Sequence, residues 1–477
     1  MLMRQLLLCL IFLSSALTLA AQDTGVAVAL THVTIVDMTG KPSTRDRTVV
    51  ITGHSISAVG KSTRVKIPNN ANVIDATGKF LIPGLWDMHV HVFNNVSKRP
   101  PNEYYFPLFL ANGVTSVREM WTKPEKMEQV RAWRKQVNDN PGTVPRFAAV
   151  GTLVDGVPAI WPNSDFVSSE EEARQFVRMI KASGIDFVKV YSNLSREAYF
   201  AIADEARKQN IPFAGHVPYS IVVSEIADAG QRSVEHLTGS TKDCTTFIPL
   251  MQKELADAKA KRSSEVPLIK RALDTCDVQK AFAMYKGFAR KGIRQVPTFP
   301  LFLRSGLALD KVTEDDRLKY ILEVEKKTWA GFSTRLRDRT PDQIDEGTKS
   351  LERALRVVRE MHRAGIVFMA GSDVGNQFIY PGFSLHDDLE TFVAAGFTPL
   401  QALQTATVNP AAFLGLLESL GTIEKGKLAD LVLLDADPLR DITNTRKIHA
   451  VIANGRYLSR ARLDTMLAEV ESAAKQR

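Results

Sequence analysis

Leu85-Trp86-Asp87-Met88-His89-Val90-His91-Val92 is an apolar run broken only by groups that can ionise. Its length and branched residues suit a β-strand, in which residues two apart share a face. His89 and His91 therefore point the same way, and convergent neutral imidazoles are what a divalent metal needs. Seven more strand-like runs follow: Val114–Met120, Phe147–Val154, Phe187–Tyr191, Phe213–Val217, Ser233–Leu237, Arg294–Thr298 and Val367–Asp373. Helical patterns lie between them, including Ser169–Ala182, opened by a Ser169/Glu172 capping box, and Ser195–Gln209. Eight strands interleaved with helices predict a (β/α)8 barrel of the TIM type with insertions. A doubly wound open sheet is the main rival, but no glycine-rich phosphate fingerprint follows an early strand.

The barrel reading gives the polar residues a common address. His216 ends the fifth run, His236 the sixth and Asp373 the eighth, so they join His89 and His91 at the C-terminal mouth, where such barrels place catalysis. Lys189 sits within the otherwise apolar Phe187-Val188-Lys189-Val190-Tyr191. A buried ammonium is disfavoured unless it is paired, neutralised or chemically changed. One solution is a salt bridge at the strand end. Another is reaction with CO2 to a carbamate whose two oxygens bridge two metals. Tyr191 shares the face of Lys189 and is a candidate substrate contact, or else a half-buried rim tyrosine. His386 follows the last strand and is a second candidate, against the alternative of an exposed histidine near a helix start. Arg118 and Glu119 end the second run and could pair with each other, with substrate or with a neighbouring wall.

Both flanks of the barrel are strand-rich. Val26–Val36, Thr48–Ile56 and Ala71–Ile74 precede it, and Ala429–Leu434 and Ile448–Ala453 follow, the last ending in the turn Asn454-Gly455. Two connections, 240–290 and 301–360, are long, rich in Lys, Arg, Glu and Leu, and read as helices; the first leaves the mouth and is a candidate lid. Residues 1–21, MLMRQLLLCLIFLSSALTLAA, carry Arg4, a short apolar stretch and small residues, the pattern of a cleaved secretory signal. The apolar part falls short of the ~20 residues that span a bilayer. The expected location is periplasmic or secreted, with no membrane attachment after signal removal. Without the signal only Cys244 and Cys276 remain, and one disulfide or two thiols are both open. The charge of +8 arises from 61 basic and 53 acidic residues spread along all 477, without the clustering that marks a nucleic-acid binder. A small-molecule substrate is expected instead, and a homo-oligomer is left open.

Together the stretches IPGLWDMHVH (82–91), GVTSVREM (113–120), GIDFVKVYS (184–192), FAGHVP (213–218), SVEHL (233–237), AGSDVG (370–375) and LGTIEKGKLADLVLLDADPL (420–439) resemble the amidohydrolase superfamily. The resemblance is to the binuclear branch that includes imidazolonepropionases and prolidase-like dipeptidases, and runs from about residue 26 to 460. It implies a small β-sandwich built from both chain ends, giving a division into 1–21 (signal), 22–80 and 416–477 (sandwich) and 81–415 (barrel). It further implies two divalent metal ions, with zinc as the default and manganese or cobalt as alternatives. His89, His91 and Asp373 would hold the more buried metal, His216 and His236 the more exposed one, and a carboxylated Lys189 with a hydroxide would bridge them. Asp373 would serve as base and then acid, and Tyr191 would hold a substrate carboxylate.

The leading expectation is an exported hydrolase of an amide-type C–N bond in a dipeptide, an N-acyl amino acid or a cyclic amide. A lactonase or organophosphate esterase would use the same centre. A non-catalytic binding protein on a retired hydrolase scaffold is the third alternative, weakened by the presence of all six expected ligands. Export argues against a literal imidazolonepropionase of cytosolic histidine breakdown.

Overall fold

The computed structural model describes residues 26–93, 95, 101–240, 244, 276–307 and 309–476. Five strands come first: β1 (Val28–Ile35), β2 (Thr44–Thr52), β3 (Ser55–Lys61), β4 (Asn72–Asp75) and β5 (Phe80–Pro83). The middle of the chain supplies β6 (Leu85–Val90), β7 (Val114–Glu119), β8 (Arg146–Asp155), β9 (Asp165–Phe166), β10 (Phe187–Val190), β11 (Phe213–Gly215), β12 (Ser233–Glu235), β13 (Arg294–Val296) and β14 (Val367–Phe368). Three more follow: β15 (Leu431–Leu434), β16 (Ile448–Ala453) and β17 (Arg456–Ser459).

The middle strands pair in parallel in the order β14-β13-β12-β11-β10-β8-β7-β6, with β9 beside the end of β8. The ring closes between β6 and the segment after β14, where Met88 N–H donates to Ala370 O, Asp373 N–H to His89 O and His91 N–H to Val374 O, at 2.8–2.9 Å. All eight predicted barrel strands are present, and helices cover their outside. The helix Glu170–Ser183 buries Ala173, Phe176, Val177 and Ile180, the spacing of one helical face. Ser169 caps it by accepting the Glu172 N–H, and Gly184 at φ 83° ends it. The Glu172 carboxylate reaches back to Ser168 rather than to Ser169, so the predicted capping box is offset by one residue.

Strands from both flanks meet in one eight-stranded sheet, ordered β17-β16-β15-β5-β1-β2-β3, with β4 also paired to β1. β15 lies antiparallel between β5 and β16, so residues 431–434 join the first part of the chain to the last. Its run of four apolar residues is buried on both faces. Leu431 and Leu433 pack into the core of this sheet with Leu30, Val49, Leu81 and Ile452, while Val432 and Leu434 pack into the barrel core.

The connection 301–360 is helical as expected, through Glu323–Arg337 and the start of Pro341–Arg363. Of 240–290, the helix Val278–Lys291 is seen, and Cys244 and Cys276 form a disulfide with Cα atoms 4.7 Å apart. Most of the candidate lid and the signal-like residues 1–21 lie outside the described residues.

Candidate active site

The ring brings His89, His91, Lys189, His216, His236 and Asp373 to one end of the barrel. His91, His216 and His236 stand just beyond β6, β11 and β12, His89 and Lys189 lie within β6 and β10, and Asp373 follows β14 by five residues. His236, Thr298 and Asp373 have φ of 58°, 54° and 61°, a region that non-glycine residues occupy at a cost of about 1–3 kcal/mol. Asp373 Oδ1 lies 3.2 Å from His91 Nε2 and 3.4 Å from His89 Nε2, and Asp373 Oδ2 is 3.8 Å from His236 Nδ1. One ligand atom each from His89, His236 and Asp373 falls within 4.8 Å of the others. Lys189 Nζ is 3.1 Å from His89 Nε2, and the His216 and His236 rings are 5.1 Å apart. Glycine permits the close approach at one edge: a Cβ on Gly375, at φ 109°, would sit 2.7 Å from the His91 Cβ.

Buried partners aim these side chains. Glu235 accepts from His89 Nδ1 at 3.0 Å, from Arg118 Nη2 at 2.9 Å and from Ser233 Oγ at 2.6 Å. Proton and carboxylate fix the His89 tautomer, leaving Nε2 as the inward donor. The Thr298 hydroxyl donates to Pro297 O and so accepts from His236 Nδ1 at 2.7 Å, which bares His236 Nε2 in the same way. Ser192 Oγ is 2.8 Å from His216 Nδ1. Asp87 ties β6 to the last ligand segment by accepting from Ser372 N and Oγ. Arg118 therefore pairs with Glu235 rather than with Glu119. Glu119 accepts the N–H groups of Val92 and Trp121 and holds the loop after β6.

Burial sets the protonation states. It holds His89 well below the imidazole range, lowers His91, and pushes His236 down to about 4. The Lys189 ammonium is pushed down to about 8 by burial, against the pull of Asp373 and Glu235. It forms no ion pair among the described residues. Burial also raises the Asp373 carboxyl, but His236, His91 and the Lys189 charge outweigh it and hold Asp373 below its usual range.

Tyr191 borders the cluster. Its ring lies 3.9 Å from that of His216, centroid to centroid, and its hydroxyl accepts from Trp161 Nε1 at 2.7 Å. His386 does not reach the site. It is fully buried in the helix Phe383–Ala394, with Nδ1 2.9 Å from Thr445 Oγ1 and Nε2 3.0 Å from Asn112 O, so both ring nitrogens serve the fold. The sequence reading of His386 as a substrate contact or an exposed histidine is corrected on both counts. That reading also missed Glu235 as the residue aiming His89, although a charge inside the apolar run Ser233–Leu237 was the same signal that singled out Lys189.

The donor set suits divalent metals. Buried imidazoles are already neutral, as ligation requires, and His91 Nδ1 and Asp373 Oδ1 are buried without a hydrogen-bond partner among the described residues. Barrel, clustered side chains and neutral histidines together form a candidate divalent-metal site. The chain belongs to the amidohydrolase family, whose model matches residues 80–458, and so to enzymes that hydrolyse carbon–nitrogen bonds. It is 22% identical over 409 residues to an imidazolonepropionase of Acinetobacter baumannii, covering 82% of this chain and 88% of that protein. Bottromycin amidohydrolase superposes with a TM-score of 0.71 at 21% identity, covering 94% of this chain and 90% of the other. A Xaa-Pro dipeptidase with methionine in its active site gives 0.63 at 18%, covering 91% and 100%.

Proposed function

We propose that the mature protein is an exported, binuclear metal-dependent hydrolase of an amide-type bond in a dipeptide, an N-acyl amino acid or a cyclic amide. The observation that carries this is the convergence of four histidines and Asp373 on Lys189, a lysine with no carboxylate ion pair among the described residues. His89, His91 and Asp373 would hold one ion and His216 and His236 the other, with zinc as the default. With its pKa near 8, Lys189 is partly neutral at physiological pH. The neutral amine can add to CO2 and release a proton, and the resulting carbamate would present an oxygen to each ion.

When bound, such ions acidify the attacking water and polarise the scissile carbonyl. Asp373 would take the proton of that water and deliver it to the leaving nitrogen, acting as base and then acid. Glu235 and Thr298 keep two imidazoles in the ligating tautomer. The Tyr191 hydroxyl offers a hydrogen bond to the substrate at the rim. Export is supported by the signal-like residues 1–21 and by the Cys244–Cys276 disulfide, since such bonds persist in oxidising compartments.

The test is turnover by the purified, zinc-loaded protein of a panel containing Xaa-Pro and other dipeptides, N-acyl amino acids, lactones and a phosphotriester, with Lys189→Ala as the blank. Hydrolysis of dipeptides or acyl amino acids is expected. Hydrolysis of lactones or the phosphotriester alone would replace the amidase reading with an esterase one.

A further inference from the structure

The loop after β8 stands beside the site and is held from below. The Asp155 carboxylate, itself fully buried, accepts the N–H groups of Gly156, Ile160 and Asn193 at 2.6–2.9 Å. Asn193 Nδ2 in turn donates to Pro158 O at 2.7 Å, strapping the loop to the segment after β10. On this anchored loop Val157, Ile160 and Trp161 are 55%, 42% and 39% exposed, three large apolar side chains within five residues. Such concentrations mark binding surfaces.

Trp161 is connected directly to the chemistry. Its Nε1–H donates to Tyr191 Oη at 2.7 Å. With the indole N–H bound on one side, the phenolic proton has no acceptor among the described residues. It remains available for a group on the substrate. Tyr191 is packed against His216 and lies 5.7 Å, ring centroid to Nζ, from Lys189, so that acceptor would lie at the rim of the metal site.

We infer that Trp161 is a positioning and specificity-determining residue: its N–H fixes the donor direction of Tyr191, and its exposed indole face selects amides carrying a bulky apolar group. The inference rests on the amidase reading of the site. It deepens that reading by naming the preferred substrates as N-acyl amino acids or dipeptides with aromatic or branched aliphatic side chains.

The test compares wild type, Trp161→Phe, Trp161→Ala, Tyr191→Phe and the Trp161→Phe/Tyr191→Phe double variant on N-acetyl-phenylalanine, N-acetyl-leucine and N-acetyl-glycine. Trp161→Phe keeps the apolar ring and loses one hydrogen bond, so KM should rise about fivefold with kcat little changed. The same substitution should have no further effect once Tyr191 is Phe. Trp161→Ala should in addition erase the preference for phenylalanine and leucine over glycine, a change of about tenfold. A binding measurement independent of turnover is quenching of tryptophan fluorescence by N-acetyl-phenylalanine, expected in wild type and absent in Trp161→Phe. Multiplicative effects of the two single variants, or equal losses on all three substrates in Trp161→Ala, would overturn the inference and leave the amidase standing. Quenching through Trp161 without hydrolysis of any amide would remove the amidase reading and keep Trp161 as the apolar wall. Neither quenching nor hydrolysis would remove both.

Discussion

The proposed mechanism gives Asp373 two duties, as ligand and as proton carrier, and an amide isostere separates them. Asp373→Asn should lower kcat by about 100- to 10,000-fold while part of the bound metal remains, as read by turnover and elemental analysis of the same preparation. Full activity in that variant would end the assignment. Glu235 acts one step away, through the proton on His89 Nδ1. Glu235→Gln should weaken metal binding about 10- to 100-fold in a chelator competition. Because it strands the Arg118 charge, the double variant Glu235→Gln/Arg118→Met keeps folding out of the comparison. The proposed ligands were legible as residues because each interrupts or ends an apolar run. Glu235 carried the same mark and was passed over, since its sequence gives no hint that the partner is a histidine 146 positions away. Trp161 carried no mark at all: its neighbour Tyr191 is set by the path of a loop, which no periodicity encodes.

At the level of elements, the reading was right about the eight barrel strands and mostly too generous about where they stop, and it ran β2 and β3 together as Thr48–Ile56 across the turn at Gly53-His54. β14 ends at Phe368, five residues before Asp373, because Gly371 and the left-handed Asp373 leave the ladder to bring the carboxylate inward. Departures of this kind answer to three-dimensional closure rather than to local propensity. His386 shows the converse, a polar residue in a helix that looks functional and instead fastens elements together. Burial pushes it down to about 4 in the fold, against about 6.5 when unfolded, so its stabilising effect is complete above pH 6.5 and is lost as the pH falls through the window from 6.5 to 4. The full loss is about 3 kcal/mol. Metal-free His386→Gln should accordingly show a smaller fall in denaturant midpoint between pH 7.5 and 4.5 than wild type. The disulfide gives a second test at this scale: closing a loop with partners 32 positions apart is worth at most about 3–4 kcal/mol, and reduction should lower the unfolding free energy read from a urea melt by no more than that.

Across the whole molecule, the barrel was legible by counting, since eight apolar runs spaced by amphipathic helices admit few other closed arrangements. The terminal sheet was legible only as a composition of its two flanks, because pairing between residues hundreds of positions apart leaves no trace in local pattern. One contact shows how tightly those flanks meet. Gly455 has φ 87°, and a Cβ there would stand 1.9 Å from the Gly53 carbonyl oxygen. Gly455→Ala should therefore destabilise the protein by about 2–4 kcal/mol in a urea melt, far more than a surface Gly→Ala change.

The placement of β15 between β5 and β16 has a genetic consequence. A stop codon anywhere from 374 to 430 would spare every proposed metal ligand and still delete the strand that covers β5. The shortened product would expose an unpaired apolar edge, the template on which chains aggregate. Alleles of this kind should thus behave as complete losses of function, for reasons unrelated to chemistry at the barrel mouth.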